Sequence, residues 1–389
     1  MRWLAMDARR MPEIRPLTGI RGLGALWVAA YHLLLPAGFV GGLAARMIGR
    51  GYLAVDLFFI LSGFLMALNY GKLFRTGIDA ADFGRFLLKR AARLYPIYGT
   101  ILVFRFAYTA MRYGRFDLPG TWVAAPMTQP AIDLPANLLL VQSWGIAESS
   151  IGTAWSVSTE WGAYFLFPGL AILALWRGRG MAAALGFFAV GLILATAALD
   201  RAAGYHQGAL DAWNGMTAGP MLRCLGGFTL GMLLRRAAGH PVIALIAGHA
   251  APCTLVIALL LAGTALGAPD LAIYPLFPAL VLCLACGSNR ATALFGSGPL
   301  VWLGVVSYSL YLLHIFLLHP LDLTRAAARA VLPATLADIA ALAVMFGVLL
   351  VGSAACYRWI EQPGRRLIAG LVPVPARNGQ TLGGLGSTR

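Results

Sequence analysis

Arg21 and His32 stand eleven residues apart in one apolar stretch of the chain. On a helix that spacing is close to three turns, so both side chains share a face and lie about 16 Å apart along the axis. An imidazole held away from bulk water is a general-base candidate, and a guanidinium at the other end of the same face is an anion-binding candidate. The bland alternatives are an arginine that snorkels to the membrane interface and a histidine satisfied by a neighbouring carbonyl.

Three more ionisable groups belong at a depth similar to that of His32. Asp56 precedes Phe58-Phe59-Ile60-Leu61-Ser62-Gly63-Phe64, Glu160 follows Trp155-Ser156-Val157-Ser158-Thr159, and His314 closes Ser307-Tyr308-Ser309-Leu310-Tyr311-Leu312-Leu313. A carboxylate near His32 would fix the imidazole tautomer and support the imidazolium, so Asp56 or Glu160 is expected to orient it. An Asp near a helix start is also a common cap. Arg90 and Arg93 are three residues apart, neighbours on one helical face just before Tyr95-Pro96, and such a pair suits a phosphate ligand or simply marks the inner side of a membrane.

The elements that must hold these groups are membrane helices. The 389 residues are 59% hydrophobic and only 12% charged, where soluble domains average about 25% charged. Apolar stretches recur over about 17–36, 52–70, 93–111, 155–176, 181–199, 219–234, 242–266, 271–287, 299–319 and 335–360, which predicts an all-α, polytopic integral membrane bundle of about ten transmembrane helices. The net charge of +15 is spread over short connections, which is a topology signal and argues against a nucleic-acid partner. Arg2, Arg9, Arg10 and Arg15, then Lys72, Arg75, Arg85, Lys89, Arg90 and Arg93, then the later basic connections fall on one side, so both termini are expected in the cytoplasm.

The first apolar stretch is long and contains Arg21, so it reads as a retained span and not as a cleaved signal. The expected division is a cytoplasmic segment 1–16, a transmembrane domain 17–370 and a disordered tail 371–389. The long outer connection at about 112–154 includes Asn137-Leu-Leu-Leu-Val, which would lie along the interface or inside the bundle. All five cysteines fall in or beside apolar segments. Cys283-Leu-Ala-Cys286 has half-site spacing but no second ligand pair near it, so it reads as core.

With these motifs in order, the chain resembles the membrane-bound acyltransferase 3 family, which includes bacterial O-acetyltransferases of surface polysaccharides. The resemblance rests on Arg21 with ten intervening residues to His32, Gly51-Tyr52-Leu53-Ala54-Val55-Asp56-Leu57-Phe58-Phe59 continuing to Ser62-Gly63-Phe64, and Arg90-Ala91-Ala92-Arg93-Leu94-Tyr95-Pro96. Trp155-Ser156 with Glu160, Gly304 through Ser307-Tyr308 and Tyr311-Leu312 to His314, and a closing Glu361-Gln362-Pro363 complete it; family members often carry a basic residue where Gln362 stands.

The resemblance implies a bacterial inner-membrane enzyme that moves an acyl group, acetyl being commonest, from cytoplasmic acyl-CoA to a hydroxyl of a glycan or glycolipid. It makes His32 the general base with Asp56 or Glu160 in support. Arg21, Arg90 and Arg93 would hold the nucleotide end of the donor, and Ser62, Trp155, Tyr311 and His314 would line or support the site. Direct transfer needs no metal, and the sequence shows neither a zinc-ligand set nor a nucleophile elbow; a two-step route through an acylated Ser62 or His32 stays open. A lipid or a small glycosylated metabolite is an alternative acceptor. A glycan or lipid transporter is the reading from a different class, against which stands the lack of an inverted repeat.

Overall fold

The computed structural model describes residues 13–36, 38–113, 130–203 and 207–371. Among them the chain is helical throughout and no strand occurs. The helices that position the site are α1 (Arg15–Leu34), α2 (Ala54–Tyr70), α3 (Ala80–Tyr113), α4 (Trp155–Ala171), α5 (Arg179–Ala203), α6 (Gly219–Ala237), α7 (Gly298–Leu313), α8 (Ala334–Cys356) and α9 (Gln362–Gly370).

Glycines set how closely the inner helices cross. A Cβ on Gly22 of α1 would lie 2.5 Å from the Gly304 nitrogen, and one on Gly304 of α7 would lie 1.9 Å from the Thr18 oxygen. On α2, a Cβ at Gly63 would meet the Phe228 oxygen at 1.9 Å, and on α6 one at Gly231 would meet the Ile60 oxygen at 2.0 Å. Backbone therefore runs against backbone in the pairs α1–α7 and α2–α6, the close approach that small residues permit where lipid gives no hydrophobic drive for association. These two crossings fix Arg21 and Ser62 on the bundle interior.

The outer helices are apolar for a different reason. Phe187, Phe188 and Leu194 of α5 and Ile339, Val344 and Val351 of α8 are exposed, as side chains facing hydrocarbon would be. Where α8 ends, the chain continues through a wider π-helical turn, Tyr357–Glu361, into α9. Pro96 lies inside α3, and Gly364 of α9 packs on its ring, where an added Cβ would approach Pro96 Cβ to 2.6 Å. That contact brings Glu361 and Arg365 against the face of α3 that carries Arg93.

The count of ten spans is not reproduced by helix length and composition alone. Among the described residues, four helical stretches are long and apolar enough to cross a membrane, namely Gly42–Tyr70, Arg179–Leu199, Gly298–Arg329 and Ala334–Gly370. A fifth forms if Gly219–Ala237 and Pro241–Gly248, bent by 103°, act as one broken span; Ala250–Leu266 and Asp270–Cys286 are apolar but short. The basic connection expected before residue 93 is largely helix, because α3 begins at Ala80 and carries Arg85, Lys89, Arg90 and Arg93 within it. Part of the outer connection, 114–129, lies outside the described residues, as do residues 1–12 and the tail after Leu371. Its described part turns inward: Asn137 and Leu140 are fully buried, and Asn137 Nδ2 donates to the Asp133 and Glu148 carbonyls.

Candidate active site

Two clusters of polar side chains occupy the bundle interior, at different distances from its basic end. The first surrounds a cavity of about 280 Å³ lined by α1, α2, α3, α4 and α7. Arg21, Arg90 and Arg93 line it together with Ser62, Glu160, Tyr164 and Tyr311. A second cavity of about 390 Å³, reaching Glu13 and Arg365, shares Arg21, Leu65, Asn69 and Arg93 with the first. The two cavities adjoin at these four residues.

The arginines lining them are held but not saturated. Arg21 donates from Nη2 to the Gly304 carbonyl at 2.6 Å, and its buried Nε has no partner. Arg90 donates from Nη2 to the Tyr70 hydroxyl at 2.7 Å, lies 4.9 Å over the Tyr70 ring and 6.0 Å from that of Tyr164, and also keeps an unpartnered Nε. Arg93 pairs with Glu361 and lies 5.0 Å over the Tyr308 ring. Arg365 pairs with the same carboxylate at 2.8 Å, and Ser309 donates to its other oxygen at 3.1 Å. Three of the four guanidiniums, Arg21, Arg90 and Arg365, therefore keep a buried N–H without a partner beside an open cavity, the condition under which an anionic ligand gains charge-assisted bonds.

In the first cavity, Glu160 Oε1 accepts from Ser62 Oγ at 2.5 Å and from the Tyr164 hydroxyl, while the two hydroxyls are 3.4 Å apart. Ser62 owes its position to its neighbour Gly63, whose lack of a Cβ lets α2 press on α6. Tyr164 follows Glu160 by four residues, one turn on, so both side chains point the same way.

The second cluster is a histidine pair. His32 Nδ1 lies 3.0 Å from the Val28 carbonyl and 3.2 Å from His314 Nε2. A carbonyl only accepts, so the Val28 contact is a hydrogen bond in the tautomer that protonates His32 Nδ1 and leaves the lone pair on Nε2. His314 is fully buried, at the start of a tight 3-10 turn, His314–Leu317, that ends α7. Its ring lies 5.8 Å from that of Tyr311, which meets Phe58 edge to face at 5.9 Å and bonds Ser156 Oγ at 2.8 Å. Phe58 and Tyr311 both line the cavity, so one layer of aromatic rings stands between the cavity and the histidines.

Neither expected carboxylate contacts His32. Asp56 is fully buried against Arg223, with Oδ1 accepting from Nε at 2.9 Å and Oδ2 from Nη2 at 2.7 Å. Arg223 also donates to the carbonyls of Tyr52 and Ala212, and its guanidinium lies 5.5 Å from the Trp155 ring. Trp155 therefore supports this ion pair and does not line the cavity. Glu160 faces Ser62 and Tyr164. The partner of His32 is His314, expected only as a supporting residue.

Arg223, Tyr164 and Arg365 were not singled out from the sequence. An arginine inside the apolar stretch 219–234 is the same signal that marks Arg21, so Arg223 was open to detection by that rule. Tyr164 carries no such signal. A further cluster, Arg50 with Asp270 at 2.7 Å and Tyr52 donating to the same oxygen, ties the start of α2 to the Asp270–Ile273 turn away from the cavity.

The bundle interior thus joins arginine-lined cavities, hydroxyls on a carboxylate, and a buried pair of imidazoles. The family model described as "Acyltransferase domain" matches residues 15–358, and the chain belongs to that acyltransferase 3 family. It is a membrane-bound acyltransferase of the kind that moves non-aminoacyl groups. Protein 2 in the picA locus of Rhizobium radiobacter is 33% identical over 178 residues, 42% of this chain and 82% of that protein. An acyltransferase, MdmB, of Streptomyces mycarofaciens is 29% identical over 174 residues, 41% of this chain and 39% of that protein. No solved structure matches the chain.

Proposed function

We propose that the protein transfers an acyl group, acetyl in the simplest case, from cytoplasmic acyl-CoA to a hydroxyl of a glycan or glycolipid at the inner membrane of a bacterium. The observation that supports this reading is the pair of adjoining cavities lined by Arg21, Arg90, Arg93 and Arg365 together with Ser62, Glu160 and Tyr311. The phosphates of the donor bind the guanidiniums at the mouth, and the thin pantetheine arm carries the thioester inward past Leu65 and Asn69.

His32 is the base for the acceptor hydroxyl. Its Nε2 lone pair takes the proton, and the resulting imidazolium keeps Nδ1–H shared between the Val28 carbonyl and His314 Nε2. His314 is a positioning residue: it holds the ring plane and stabilises the charge that forms, the role expected of a carboxylate from the sequence. Purified protein given acetyl-CoA and a panel of glycans and glycolipids should release thiol and acylate a member of the panel, read by mass spectrometry. His32→Ala should abolish transfer while the protein stays monodisperse in detergent; full activity of that variant removes His32 as the base.

A further inference from the structure

We propose that Asn69 is a specificity residue for the donor: its side-chain oxygen accepts from an amide N–H of the pantetheine arm and so selects a thioester carried on an amide-bearing chain. The inference rests on the acyl-CoA reading and deepens it by naming the residue that recognises the arm.

Asn69 Oδ1 is an acceptor among donors. It is buried without a hydrogen-bond partner in the last turn of α2, on a residue that lines both cavities. Among the described residues lining those cavities, the other buried polar atoms without a hydrogen bond all belong to arginines, which only donate. Arg21 and Arg93 share the junction with Asn69 but donate elsewhere, to the Gly304 carbonyl and to Glu361. A buried acceptor costs free energy until something brings a hydrogen to it. A fully ionised phosphate or carboxylate cannot do so, because it too only accepts. An anion that satisfies the guanidiniums therefore leaves Asn69 bare, and the ligand that suits the whole junction must also carry an N–H or O–H.

The position of Asn69 suits the arm of the donor and not its head. On α1 the second cavity runs from Ile14 to Arg21 and the first from Arg21 to Ala25; on α2 the first runs from Val55 to Asn69, and the second touches only Leu65 and Asn69. Asn69 thus stands where one cavity gives way to the other. Ser62, Leu65 and Asn69 recur along α2 at spacings of three and four, so they share one face, with Asn69 about 10 Å along the axis from Ser62. A thin chain that passes from the second cavity into the first runs along this face. The pantetheine arm is such a chain, and each of its secondary amides offers one N–H and one carbonyl. The N–H meets Asn69 Oδ1, and the carbonyl of the same amide can accept from the bare Arg21 Nε at the same junction. An anionic acyl donor without an amide, such as an acyl phosphate, would pair with the arginines and leave Asn69 unpaired, which is the basis of the selection.

The test measures binding to the purified full-length protein by calorimetry, with CoA, adenosine 3′,5′-bisphosphate, and two CoA analogues in which one or the other amide is replaced by an ester. Asn69→Leu keeps the volume of the side chain and removes the acceptor. It should weaken CoA binding about five- to tenfold and leave the bisphosphate, which has phosphates and adenine but no arm, at its wild-type affinity. Asn69→Ala, which cannot overpack the junction, should repeat that pattern. In the wild type one ester analogue should bind more weakly than CoA by a similar factor, and in Asn69→Leu that analogue and CoA should bind alike, the non-additivity that marks a direct contact. Wild-type affinity for CoA in both variants would overturn the proposal, as would an ester penalty that persists in Asn69→Leu. Equal weakening of CoA and the bisphosphate would also overturn it, by placing Asn69 at the nucleotide end. Each of these results leaves the acyl-CoA reading intact; a wild type that binds neither CoA nor the bisphosphate would overturn both.

Discussion

Arg223 and Arg21 are both arginines on the inner faces of helices, yet the molecule treats them in opposite ways. Arg223 is surrounded: Asp56 takes a two-pronged contact from Nε and Nη2, the Tyr52 carbonyl also accepts from Nη2 and that of Ala212 from Nη1, and Trp155 covers its face. Arg21 makes one bond, to the Gly304 carbonyl, keeps a bare Nε, and lines a cavity. A saturated guanidinium with no adjoining space can only hold helices together. An under-satisfied one beside open volume stores binding capacity for a ligand, since buried polar groups cost free energy until they are paired. Saturation, more than burial, is what distinguishes the two arginines.

The largest effect should come from breaking the saturated pair. Asp56→Ala leaves the Arg223 charge buried without its carboxylate and should cost about 3–5 kcal/mol of stability, read as a lower thermal unfolding midpoint in detergent. Replacing both partners together, Asp56→Asn with Arg223→Met, should recover much of that loss. If Asp56→Ala unfolded at the wild-type temperature yet lost all transfer, Asp56 would belong to the chemistry and the division drawn here would fail. His32→Ala is the complementary case: about 10²- to 10⁴-fold slower transfer with an unchanged unfolding midpoint.

The sequence carried helix faces better than depth or direction. Spacing along one helix places Arg21 and His32 on a common face, whereas Glu160, expected level with His32, meets Ser62 in a cavity that reaches only Ala25 on α1. Which of them meet depends on how each helix is rotated about its axis, and that rotation is set by Gly22 on Gly304 and Gly63 on Phe228, contacts between residues more than 160 positions apart. Hence the carboxylate expected at His32 proved to be an imidazole, and Asp56 turned toward α6. The overall bundle was legible because apolar composition alone demands it. The span count was less so, since α3 mixes basic and apolar turns in one helix and the stretch 242–286 breaks into short pieces.

Smaller effects belong on the unsaturated side of the comparison. Arg21→Ala and Arg90→Ala each remove charge-assisted bonds of about 1.5–3 kcal/mol from a bound anion, which should raise the KM for acyl-CoA about ten- to hundredfold and leave the unfolding midpoint nearly unchanged. A fall in stability as large as that of Asp56→Ala, with KM unaltered, would place both arginines with Arg223 as structural groups.

The most discriminating small change is at Tyr70, which holds Arg90 through its hydroxyl and through its ring. Tyr70→Phe keeps the ring under the guanidinium and removes one hydrogen bond worth about 0.5–1.5 kcal/mol, so Arg90 is less well aimed but still present. The KM for acyl-CoA should rise only a few-fold, with the turnover number unchanged. Tyr70→Leu removes both supports and should move KM toward the Arg90→Ala value. If Tyr70→Phe matched Arg90→Ala, the Tyr70 hydroxyl, and not the bare Arg90 Nε, would decide how Arg90 serves the anion.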